Sequence, residues 1–107
     1  MRAVLESSID NYQASLDAWR ATETDGNLDT EDPAYQLFAQ AEYDLVCCPC
    51  GSDADVRRKV RHAERTREMR ETLELDRDAD GNPYLLLFLK SLSAAWPVDS
   101  GEIGEKP

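Results

Sequence analysis

The chain has 107 residues, enough for one domain that buries roughly two thirds of its unfolded surface without help from disulfides or metals. Twelve basic residues oppose twenty-two acidic ones, and the net charge of −10 repels nucleic acid and anionic membranes at long range. No apolar run approaches the roughly 18 to 20 residues of a bilayer span, Glu6 interrupts the N-terminus too early for a secretory leader, and three cysteines suit a reduced set better than a disulfide framework, so a cytoplasmic location is expected.

From Leu5 to Trp19 the large apolar residues fall at Leu5, Ile9, Tyr12, Leu16 and Trp19, alternately four and three apart, which predicts a first helix with a narrow apolar stripe. That heptad-like stripe also leaves a homodimer open. Thr24-Asp25-Gly26-Asn27-Leu28-Asp29 carries turn chemistry, and Asp32-Pro33 supplies a cap followed by the residue favoured at the first helical position. A second helix is expected from there, with Ala34, Phe38, Ala41 and Leu45 inward and Leu37 alongside, ended by Pro49-Cys50-Gly51. The two make an antiparallel hairpin. Ser52 with Asp55 three residues on resembles a capping box and places a third helix from about Asp53 into the Leu73 region, its apolar side passing from Val56, Val60 and Ala63 round to Met69 and Leu73. Asn82-Pro83 repeats the signal of cap and proline for a fourth helix. Tyr84-Leu85-Leu86-Leu87-Phe88-Leu89 is apolar on every side, and with Leu92 and Trp96 it reads as the central, most buried helix. The expected fold is all-α: a small four-helix bundle on an N-terminal hairpin over residues 1–96, with a flexible tail over 97–107.

Two motifs have the residue types of metal sites. Asp76-Arg77-Asp78-Ala79-Asp80-Gly81-Asn82 matches the first seven positions of a calcium loop, in which alternate oxygen ligands converge on one hard cation, here Asp76, Asp78, Asp80 and Asn82. Position eight is Pro83 and position twelve is Leu87, so the bidentate glutamate that anchors such loops is missing; a polar turn between helices accounts for the same residues. Cys47-Cys48-Pro49-Cys50 contains a C-x-x-C spacing and, with His62, reaches at most a Cys, Cys, Cys, His set for zinc. Cys50 lies just before a helix N-terminus, where the dipole favours thiolate, although small cysteines also pack at helix ends without any reactivity. No resident cofactor is expected.

Between Arg57 and Arg70 seven cations face two anions, so this segment carries +5 against −15 elsewhere. Arg57, Arg61 and Arg65 recur every four residues with Arg58 beside them, and Glu64, Glu68, Glu71 and Glu74 offer partners for part of the run. A salt-bridged solvated face explains much of it, and nucleic-acid binding through this helix is the alternative, opposed by the surrounding negative charge. The single histidine excludes a two-histidine site, His62 reads as a surface residue, and there is neither a G-x-S-x-G elbow nor a phosphate-cradling glycine loop. Catalysis is not expected.

The acidic hairpin with Ala34-Tyr35 and Ala41-Glu42, the Pro49-Cys50 break, Ser52 leading into Val56-Arg57-Arg58-Lys59, and the closing Phe88-Leu89-Lys90-Ser91-Leu92 resemble a group of small helical proteins encoded in alphaproteobacterial genomes, often near mobile elements or prophages. The resemblance spans roughly Asn11 to Leu92, and the group brings no established activity to carry over. It implies a small regulator or inhibitor of a larger partner. Together with the charge, it points to a non-enzymatic interaction module that docks on a basic or nucleic-acid-binding protein through Asp25, Asp29, Glu31 and Asp32. Each of those acids is equally at home in a solvated turn.

Overall fold

The computed structural model describes residues 4–94, in which five α-helices follow one another: α1 (Val4–Arg20), α2 (Pro33–Cys47), α3 (Asp53–Arg65), α4 (Arg67–Leu75) and α5 (Tyr84–Ser93). The protein is mostly helical, and the described residues contain no strand, only isolated bridges between Thr24 and Asn27 and between Arg77 and Pro83. None of the described helices is long and apolar enough to cross a membrane. Trp96 and the tail over 97–107 lie outside the described residues. The chain divides into two compact units, Met1–Cys48 and Pro49–Pro107.

In the first unit the stripe of α1 is its buried face: Leu5, Ile9, Tyr12 and Leu16 are all enclosed. α2 contributes Phe38, Ala41, Leu45 and Val46 to the core, and Leu37 is exposed. Four rings tie the two helices together. Tyr12 and Phe38 lie 5.3 Å apart, Trp19 stacks on Phe38 at 5.3 Å, and Tyr35 sits 4.9 Å from Trp19. Such pairs contribute about 0.5 to 1.5 kcal/mol beyond the area they bury. The start of α2 follows the expected chemistry, with the Asp32 carboxylate accepting from the Ala34 amide at 2.8 Å and Pro33 at the first position.

In the second unit the third predicted helix proves to be two. Thr66 takes extended backbone angles, φ −114° and ψ 106°, and separates α3 from α4. The cause is visible in the apolar phase: on one continuous helix Met69 would lie about a third of a turn away from Ala63. The break turns both inward, so α3 buries Ala63 and α4 buries Met69. Val56 and Val60 are only half-buried, and the fully enclosed side chain on α3 is Lys59, 1% exposed.

α5 is not the central buried helix its composition predicts. It buries Phe88 and Ser91, whereas Leu85, Leu86 and Leu89 remain 46%, 40% and 52% exposed. A helix lies against its neighbours over part of its circumference, so a sequence that is apolar all round does not by itself enclose the helix. Its start differs as well. Pro83 occupies the cap position without a side-chain bond, and the Asn82 amide instead reaches the Asp78 carboxylate at 3.3 Å.

Candidate interaction surfaces

The loop joining α1 to α2 is built by its own acids. Thr24 and Asn27 exchange both backbone hydrogen bonds at 2.9 Å around Asp25 and Gly26, and both central residues have positive φ, 53° and 79°. This is the mirror-image type of two-residue turn that an Asp-Gly pair favours. Further along, the Trp19 indole donates to the Asp29 carbonyl at 3.1 Å, and the Asp29 carboxylate accepts from the Glu31 amide at 2.8 Å. Asp29 and Asp32 each hold backbone with one carboxylate oxygen. Asp25, Asp29 and Glu31 are exposed and Asp32 is half-buried, so the four predicted docking acids occupy one ordered connection. The unit that carries them is strongly charged: Met1–Cys48 has ten acids against two bases, net −8, while Pro49–Pro107 has twelve against ten, net −2.

On α3, Arg57, Arg61 and Arg65 are exposed, and no side-chain hydrogen bond or ion pair engages them among the described residues. The expected pairing of Glu64 with Arg61 is not formed. Arg67 instead meets Glu71 at 3.2 Å across one turn of α4, and Arg70 donates to the Glu64 carbonyl at 3.0 Å. Beside the arginine row lies a shallow depression of about 320 Å³ lined by Val56, Arg57, Val60, Arg61 and Glu64. Asp53 and Asp55 in the first turn of α3 place negative charge at the head of this row.

The loop over 76–82 is a closed turn. The Asp78 carboxylate accepts from the amides of Asp80 and Asn82 at 2.9 and 2.8 Å, and these bonds, Asn82 first, hold its pKa below the usual 3.8. The Arg77 guanidinium donates to the Gly81 carbonyl at 2.9 Å, and the Tyr84 amide bonds the Asp76 carbonyl at 3.0 Å. Asp78 is therefore engaged by the backbone of its own loop. Cys48 and Cys50 are buried and Cys47 is half-buried, all three as free thiols. His62 is half-buried and not a surface residue; burial, and secondly the Arg58 guanidinium, hold its pKa below 6.5. Among the described residues no group of three His, Cys, Asp or Glu side chains is placed to hold a metal ion, so neither the calcium nor the zinc set is assembled.

One constellation escaped sequence reasoning. The Lys59 ammonium donates to Ser91 Oγ at 2.6 Å, lies 5.1 Å from the centre of the Phe88 ring, and Ser91 Oγ in turn donates to the Phe88 carbonyl at 2.6 Å. Serine and lysine at that distance are the parts of a nucleophile and its base. Here the serine proton points at a carbonyl, the lysine acts as donor, and the two residues are 6% and 1% exposed, which gives a substrate no approach. The pair ties α3 to α5. The only signal in the sequence is that Lys59 lies four residues from Ala63, on the inward face of an otherwise charged helix.

These features define a small, mostly helical protein in which no metal set is assembled among the described residues. Comparison with protein-family models, with curated proteins and with solved structures finds no match.

Proposed function

We propose that this chain is a non-enzymatic interaction module whose acidic α1–α2 connection docks on a basic surface of a partner protein. The observation that carries this reading is the ordered, exposed loop of Asp25, Asp29, Glu31 and Asp32 on a unit with net charge −8. Charge on a fixed backbone loses little conformational entropy on docking, and long-range attraction accelerates encounter with an oppositely charged partner. The resemblance to alphaproteobacterial proteins near mobile elements suits a small regulator or inhibitor of that kind. The arginine row of α3 supports a second reading, nucleic-acid binding, against which its acidic surroundings weigh.

Capture from lysate at low and high salt tests both, with wild type compared to Asp25→Asn combined with Glu31→Gln. Those two substitutions leave in place the Asp29 and Asp32 carboxylates that hold the loop. Docking through the loop predicts a basic protein recovered at low salt, lost at high salt and depleted with the double variant. Equal recovery with both proteins sinks the acidic-loop reading, and nuclease-sensitive recovery transfers the function to α3.

A further inference from the structure

We infer that α3 carries a docking site for an acidic peptide segment of another protein, one that presents an apolar side chain flanked by carboxylates. The site is separate from the acidic loop, since it lies on the other compact unit. Two tracks run side by side along α3. Val56 and Val60, both half-buried, stand one turn apart at the margin of the face that buries Lys59 and Ala63. Arg57 and Arg61 each follow a valine by one residue, about 100° further round the helix. The valines and these two arginines line the depression of about 320 Å³, so an apolar side chain seated there has guanidinium groups beside it.

Charge complementarity selects the occupant. Arg57, Arg61 and Arg65 repeat every four residues, a like-charge spacing that destabilises a helix, and no side chain among the described residues engages them. A row left without an internal anion is open to carboxylates or phosphates from outside, which a guanidinium meets with two parallel hydrogen bonds. The extent of the row decides between them. From Arg57 to Arg65 the helix rises by about 12 Å, with Asp53 and Asp55 before the row, Glu64 within it and Glu68 after it. Those acids oppose a polyphosphate backbone that runs on past either end, whereas about 12 Å matches two turns of a peptide helix or four extended residues. The floor points the same way, because a sugar-phosphate backbone is polar and leaves the valines unfilled. Arginines around an apolar seat suit an acidic motif with an apolar anchor.

Selection of a display library of random dodecapeptides on the immobilised full chain tests this, followed by fluorescence anisotropy of an enriched peptide. Enriched sequences should carry aspartate or glutamate on both sides of a leucine, phenylalanine or similar side chain. Dissociation should lie in the micromolar range and weaken roughly tenfold with Arg61→Gln, the loss expected of one charge-assisted contact. Arg67→Gln makes the same change of net charge at an arginine paired with Glu71 on α4, and should bind like wild type. Both substituted side chains are exposed, so the helical circular dichroism signal should be unchanged. Glycine in place of the peptide's apolar residue should also weaken binding roughly tenfold. The inference is overturned by a library that yields no enriched sequence, by enrichment lacking either acids or the apolar anchor, or by Arg61→Gln and Arg67→Gln acting alike. A single-stranded oligonucleotide that binds through Arg61 more tightly than any peptide, or self-association of the chain that Arg61→Gln abolishes, overturns it in favour of nucleic acid or a second copy.

Discussion

A buried ammonium keeps its charge only where oxygen acceptors or a ring face replace the water it has lost. Lys59 has both in Ser91 and Phe88. Ser91→Ala removes an acceptor from a charged donor in the core, and urea unfolding should report a loss of roughly 1 to 3 kcal/mol. Ser93→Ala, whose hydroxyl is exposed and bonded to the Lys90 carbonyl, should stay within about 0.5 kcal/mol of wild type. His62 makes the second test. Its pKa is lowered in the folded chain, so the unfolded chain takes up a proton first as pH falls. Its contribution is complete above 6.5 and declines from there towards the folded pKa. The urea midpoint should therefore drop as pH falls through 6.5 towards the folded pKa, and His62→Gln should flatten that drop. Asp78 has its own window: its lowered pKa stabilises the fold above 3.8, and that support is lost as pH falls through the folded value. Neither Lys59 nor His62 was legible as an interior residue, because both sit in a run of arginines and burial of a cation depends on partners such as Ser91, 32 residues away.

At the scale of elements, caps were the most legible signals. Ser52 Oγ accepts from the Asp55 amide at 3.1 Å as its spacing predicts, although the Asp55 carboxylate returns to the Gly51 amide at 2.9 Å, one residue earlier than in a regular capping box. Thr66 occupies the same position for α4 without a side-chain bond. The contrast is measurable: Ser52→Ala should cost about 1 kcal/mol in thermal or urea unfolding, and Thr66→Ala clearly less, since no hydroxyl bond is lost there. α1 and α2 were readable because their apolar residues hold one phase for several turns. The division of α3 from α4 was present as a drift in phase from Val56 to Met69, but a drift of that kind fits a curved helix as well as a broken one. α5 was read correctly as a helix and wrongly as the core, because leucine on every side states what the helix is made of and not how many neighbours it has.

At the scale of the molecule, composition foretold an acidic helical protein but not the placement of its charge. An average of −10 conceals one unit at −8 and one at −2, a partition that follows from where the chain divides. The acids of the α1–α2 connection were legible as exposed turn residues because Asp, Gly and Pro declare turns, and a turn between helices lies at the surface. The metal sets were not assembled because each pattern had an equally good local use: amide acceptors for Asp78, packing for Cys48 and Cys50. The bare leucines of α5 bear on how the protein behaves in solution. Mutual repulsion is what keeps copies with an uncovered apolar helix dispersed, and it vanishes near the isoelectric point of about 4.4. Acidification thus removes the colloidal barrier before Asp78, held below 3.8, gives up its charge, and gives the protein a solubility minimum in mild acid that neutral buffer conceals.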